Sequence, residues 1–202
     1  QFIRYQDSLK EIIICYNNVV INGNLIDGDC DSIYYNKTDS TLKCIKDPII
    51  WLDENQVTGE KIEFKISEGE IYNMYVTNNS MIITRKDSIH YDQIKGDEIN
   101  GHFKNNELNI LDVKKNGKAI YYTKDEKDSL INEINIISCE SMKIHIKENK
   151  IEKIKFNSKP NGKTLPLDKA KKDFYLDDFK IISKRSYQEK KGVAKGESPK
   201  GR

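Results

Sequence analysis

Four acids share one repeated setting. Asp31, Glu60, Asp97 and Glu140 each follow a small residue (Cys30, Gly59, Gly96 and Cys139), and each is followed two places on by Ile33, Ile62, Ile99 and Met142. Carboxylates brought together do acid–base work when their surroundings split their pKa values. One acid per repeat is also what a structural strand-entry residue looks like, and we take that reading. The histidines His90, His102 and His145 fall in separate repeats with no H-E-x-x-H or H-x-x-x-H spacing, so no metal or general-base role is expected of them. His102 and His145 lie on predicted strands, on the face opposite Phe103 and Ile146. The four cysteines (15, 30, 44, 139) form no C-x-x-C pair, which leaves a zinc site without support. Cys30 and Cys44 flank one predicted hairpin. A disulfide there stays open beside the plainer reading of small, easily buried residues. No G-x-S-x-G and no glycine-rich phosphate loop occurs. We expect no catalytic residue, no metal site and no cofactor.

The elements around these residues are strands. Period-two alternation is explicit at Ile62/Phe64/Ile66, Met74/Val76 and Met142/Ile144/Ile146. No window longer than about ten residues keeps a 3.6-residue period, so helix is nearly absent; the best candidate is Leu167–Phe174. Each small-acid tetrad leads through a strand and a turn into a second strand. A third strand then follows a polar turn such as Lys46-Asp47, Asn78-Asn79 or Asn116-Gly117. The unit is therefore three short strands, repeated at unequal spacing, with extra residues in loops near 85–92 and 123–132. The chain begins inside a unit, which suggests a fragment of a longer repeat array. Residues 1–182 form the predicted β domain, with Phe174–Ile182 as a closing strand.

The chain has 202 residues, 37% hydrophobic and 33% charged, with net charge +2. Seven Lys or Arg and two Glu fall in Ser183–Arg202, so a basic tail, 183–202, is expected to be disordered. The remainder is mildly acidic, which argues against a nucleic-acid partner. No stretch approaches the ~20 apolar residues of a membrane helix.

Several ordered blocks carry a family resemblance. They are Gly28-Asp29-Cys30-Asp31-Ser32-Ile33-Tyr34-Tyr35, Asp47-Pro48-Ile49-Ile50-Trp51 with Glu54-Asn55-Gln56-Val57-Thr58-Gly59-Glu60-Lys61-Ile62, Tyr91-Asp92-Gln93-Ile94-Lys95-Gly96, and Asn116-Gly117-Lys118-Ala119-Ile120-Tyr121-Tyr122, with Lys159-Pro160-Asn161-Gly162 at the end. Over roughly residues 1–182 the chain resembles the OstA/LptA-type family of lipopolysaccharide-transport proteins, its Bacteroidota branch in particular. The long insertion at 123–132 and the cysteines depart from the pattern. The resemblance implies an all-β, taco-like jelly-roll of stacked antiparallel strands. It further implies a periplasmic, outer-membrane-associated setting, lipopolysaccharide held by its lipid A part, and edge-strand pairing with other jelly-roll transport proteins or with itself end to end.

On predicted facing, the lipid-binding interior comprises Ile33, Leu42, Ile50, Ile62, Phe64, Met74, Val76, Ile82, Ile99, Phe103, Val113, Ile120, Met142, Ile144, Ile154 and Phe156. Two other readings stay in view. One is a structural or adhesive β-repeat protein with a closed core. The other is a carbohydrate-binding module using Tyr34, Tyr35, Tyr72, Tyr75, Tyr121 and Tyr122.

Overall fold

A computed structural model describes residues 2–7, 10–23, 25–124, 130–148, 150–170 and 174–182, with the backbone alone for 2–7 and 10. The basic tail lies outside these residues. Among the described residues, thirteen strands form one antiparallel sheet. They are β1 (Phe2–Asp7), β2 (Lys10–Asn22), β3 (Asp27–Asn36), β4 (Thr41–Ile45), β5 (Ile49–Leu52), β6 (Asn55–Thr58), β7 (Lys61–Ser67), β8 (Glu70–Arg85), β9 (Tyr91–Lys104), β10 (Glu107–Lys124), β11 (Ile131–Lys147), β12 (Lys150–Asn157) and β13 (Asn161–Pro166). The main order is β1-β2-β3-β4-β7-β8-β9-β10-β11-β12; β5 and β6 fill the space between β3 and β8, and β13 pairs with β11.

The longest strands bend once and serve two walls. The first wall holds β4, β7 and β12 with the adjoining halves of β3 and β8–β11. The second holds β5, β6 and β13 with the other halves. At each bend two consecutive residues are left-handed: Asn17/Asn18, Lys46/Asp47, Asn78/Asn79, Lys115/Asn116 and Ser158/Lys159. Asn tolerates that region better than most non-glycine residues, because its short side chain bonds locally. In three places the pair faces a single residue of the next strand. Asn17-Asn18 lies opposite Asp31, Asn78-Asn79 opposite Asp97, and Lys115-Asn116 opposite Glu140. Two residues against one is a β-bulge, which bends the strand and increases its twist. Three of the four recurring acids therefore stand opposite a bulge, and the fourth, Glu60, lies at the junction of β6 and β7.

The small residue before each acid has a steric cause. A Cβ on Gly59 would stand 2.6 Å from Val76 Cγ1, and one on Gly96 2.6 Å from Val113 Cγ1. Cys30 and Cys139 fill the equivalent places and are buried. Expected polar turns thus become bends inside continuous strands: β10 runs through Asn116-Gly117 without reversing. True reversals occur elsewhere, as at Glu68-Gly69 and Asn105-Asn106, where two left-handed residues make tight hairpins.

Two further expectations are corrected. The helix candidate shrinks to a 3-10 turn at Leu167–Lys169; residues 171–173 lie outside the described set. Residues 174–182 are not a strand but a strap across the outer face of the second wall. Gln93 Nε2 donates to Phe174 O at 3.0 Å, and Leu176 N donates to Gln93 Oε1 at 2.8 Å. Gln56 Nε2 likewise donates to Lys180 O at 2.7 Å, and Ile182 N donates to Gln56 Oε1 at 2.8 Å. Each amide offers the strap one donor and one acceptor, as a neighbouring peptide would. The side chains thereby take over a ladder that the backbone does not form.

Candidate functional site

Cross-strand register turns single apolar residues into continuous rows. One runs along the first wall as Ile33, Cys44, Ile62, Val76, Ile99, Val113, Met142 and Phe156, each paired with the next. Leu42, Phe64, Met74, Gly101, Leu111, Ile144 and Ile154 form a second row beside it. The second wall answers with Ile50, Val57, Ile82, Ile94 and Ala119. Apart from Gly101, all three rows belong to one apolar cluster or pack against it. Side chains directly opposite across a sheet sit within ~5 Å, so the rows are continuous except at Gly101, where Leu108 and Met74 close over the missing side chain.

Of the sixteen residues expected to line the interior, ten are buried in this cluster: Ile50, Ile62, Phe64, Met74, Val76, Ile82, Ile99, Val113, Met142 and Ile144. Ile33, Leu42, Phe103, Ile154 and Phe156 pack against it and are partly exposed. Four of these five belong to strands near the two ends of the sheet order, and Val19 and Ile21 on β2 are also partly buried. The lining therefore stays apolar as it becomes accessible towards both ends.

Ile120 is the correction. It packs with Tyr122 and Ile134 in a separate cluster beneath Leu167, Phe174 and Leu176. Its strand partner Gln93 holds the strap, which puts Ile120 on the outer face. Leu111, Val57 and Ile94 lie inside although facing alone did not single them out. Val57 and Ile94 stand between polar neighbours. Leu111 follows a register shift between Leu108 and Ile110 that changes which residues point inward. Their signal is pairing with known interior residues, which needs the register.

The centre of the interior is closed. A residual cavity of about 20 Å³ separates the walls, lined by Ile82 and Ile94 on one side and Leu108, Leu111, Ile146 and Ile151 on the other. Asn55, Thr84 and Asp92 form its polar end. Thr84 Oγ1 donates to Asn55 Oδ1, and Tyr122 N donates to Asp92 Oδ1 at 2.9 Å. Burial raises the Asp92 carboxyl pKa, while Lys86, 3.1 Å away, and the Tyr122 amide pull it back. Asp87, in the β8–β9 loop, behaves oppositely. Its slight burial works upward, but the His90 ring and the amides of Ile89 and His90 hold it down at about 2.

The candidate chemistry is dispersed. Asn116 donates to Asp97, Asn78 to Glu60, and Lys46 pairs with Asp31, so these acids serve the bends. His102 joins Asn73 to Asp112, which also pairs with Lys143. These side chains make a polar ladder across the first wall.

No family model matches the sequence, and no curated protein matches it. Among solved structures, the chain is similar to LptH from Pseudomonas aeruginosa, described as the LptA-homologous periplasmic component of the conserved lipopolysaccharide transport device. The likeness has a TM-score of 0.52 at 10% identity and covers 69% of this chain and 93% of that one. The fold is LptA-like. At that identity the likeness speaks for the β-jelly-roll architecture alone.

Proposed function

We propose that this chain is a non-enzymatic carrier or bridge in lipopolysaccharide transport. It works in the periplasm, associates with the outer membrane, and shields lipid A acyl chains between its two walls. The observation that carries the reading is the pair of apolar rows that cross the whole first wall and become accessible at both ends. Each methylene withdrawn from water stabilises a bound chain by ~0.8 kcal/mol, so a lipid with several acyl chains needs a long unbroken lining. The LptA-like fold supports the same reading. End strands β1 and β12 each pair on one side only among the described residues. Their free edges suit strand addition to another jelly-roll protein or to a second copy.

A second reading rests on the closed centre. Phe64, Met74 and Ile144 are 0% exposed, as in an ordinary sandwich core. The remaining cavity has room for about one water. Acyl chains enter only if the walls part. A structural or adhesive β-repeat protein would keep them shut.

Photo-crosslinking separates the two. A crosslinker at Phe64, Met74 or Ile144, in folded protein mixed with lipopolysaccharide, should capture the lipid. Capture at none of the three, with the fold intact by circular dichroism, would reject the carrier reading.

A further inference from the structure

The bends close one side of the space between the walls, and the strand tips meet at the other. At the tips the two walls differ. On the second wall Leu52, Asn55, Thr84 and Asp92 pair in succession across the sheet, each at a strand end or one residue from it. On the first wall Leu108, Ile146 and Ile151 hold the same position and face them across the residual cavity. One lip is therefore apolar and the other polar. The polar side chains are nonetheless covered, Asn55 being 8% and Asp92 5% exposed. Their bonds run along their own wall. Asn55 Nδ2 donates to Leu52 O at 3.1 Å, and Thr84 Oγ1 donates to Asn55 Oδ1. Asp92 accepts from Tyr122 N at 2.9 Å and pairs with Lys86 Nζ at 3.1 Å. None of these bonds reaches the first wall, so parting the lips breaks none of them.

These groups keep bonding capacity in reserve. Thr84 Oγ1 has used its hydrogen and retains acceptor lone pairs, Asp92 can accept further bonds, and Asn55 Nδ2 has a second hydrogen. Lys86 offsets the Asp92 charge, so the lip offers acceptors and one donor without a net field that would draw an anion. We propose that this seam is the mouth of the slot, and that Asn55, Thr84 and Asp92 form a binding subsite for the amide junction of an N-acylated amphiphile. The acyl chain lies deeper, against Ile82 and Ile94. The amide N–H donates to Thr84 or Asp92, and its carbonyl accepts from Asn55 Nδ2. An ester at the same place supplies no donor and leaves the buried acceptors without the extra bond. The inference rests on the carrier reading and deepens it by naming the linkage that the mouth selects.

The test uses the full chain and two probes, N-dodecanoylethanolamine and the matching ester, ethylene glycol monododecanoate. They share the acyl chain and the terminal hydroxyl and differ in the N–H. In titration calorimetry the amide should bind wild type about five- to tenfold more tightly than the ester, the worth of one net hydrogen bond. Thr84→Val keeps the side-chain shape, and Asp92→Asn replaces a charged acceptor with a weaker neutral one. In each the preference should shrink, with ester affinity unchanged and the fold intact by circular dichroism. A photo-crosslinker at Leu108 should capture the amide. Equal binding of amide and ester by wild type, a preference undiminished in both variants, or capture at Phe64 without capture at Leu108 would overturn the proposal while leaving the carrier reading in place. Binding of neither probe would reject the carrier reading and this inference with it.

Discussion

Asn116 donates its side-chain amide to both carboxylate oxygens of Asp97, at 3.2 and 3.1 Å. Asn78 reaches Glu60 Oε2 at 2.8 Å, and Lys46 stands 3.3 Å from Asp31. One construction therefore recurs at three bends: a left-handed residue is tied to an acid that precedes it in the chain, on a strand or at a strand junction. Exposed contacts of this kind contribute little energy individually. Their effect is to fix where each strand bends, so that successive bends fall on one line.

The small residue at a bend should tolerate no enlargement. Gly96→Ala places a methyl 2.6 Å from Val113 Cγ1, and overpacking of this kind costs about 1–3 kcal/mol. Urea unfolding should show a lower midpoint with an unchanged slope. A midpoint equal to wild type would remove the steric account of the glycine.

Removing a strap glutamine should free the C-terminal segment. Gln93→Leu keeps the bulk but strands Phe174 O and Leu176 N, at about 1 kcal/mol, because both groups are only part-buried. Limited trypsin digestion should then cut faster after Lys169 and Lys180 than in wild type. Equal cutting rates would mean that the Gln56 and Lys95 contacts and the Ile120–Phe174 packing hold the strap without Gln93.

Asp87 and Asp92 should give opposite pH dependences. Asp87 is held at about 2, below the unfolded value of a carboxylate. It contributes stability above the unfolded value that is lost as pH falls towards 2. Asp92 is raised by burial, so the folded state holds its proton more tightly. It contributes stability below the unfolded value that is lost as pH rises through the raised folded value. In Asp92→Asn the second dependence should vanish while the first persists, as read from denaturation midpoints across acidic pH.

End-to-end assembly, if the free edge of β1 mediates it, should depend on that edge. Proline removes an N–H and blocks strand addition where that group points outward. Consecutive backbone amides alternate in direction, so single prolines at Ile3 and Arg4 test both. One of the two should abolish concentration-dependent oligomers in light scattering while the monomer stays folded. Oligomers that persist in both variants would exclude β1 as the joining strand.

Alternation at Phe64, Met74 and Ile144 was enough to place these residues inside, because they sit on straight half-strands away from the bends. The repeat of small residue and acid was equally legible. The role of the acids was not: Asn116-Gly117 and Asn78-Asn79 carry the composition of a chain reversal, and composition alone does not separate a reversal from a bend. Ile120 shows the consequence. Treated as part of a separate strand, it is the obvious core residue of Ala119-Ile120-Tyr121. In the continuous β10 the left-handed pair adds two residues, phase is kept from Val113, and Ala119 and Tyr121 pack inward instead. The strap was illegible for another reason, since its partners are glutamine side chains separated from it by more than eighty residues.

Because the long strands run through the bend, their halves lengthen both walls by the same step. Neighbouring strands are ~4.8 Å apart, so the bore of the molecule is measured out in strands and its capacity grows linearly with their number. Lengthening it requires no new bend chemistry, only another copy of a bent strand and its acid-bearing neighbour. The bulge that bends the sheet therefore also makes the interior a ruler, with the repeat as its graduation.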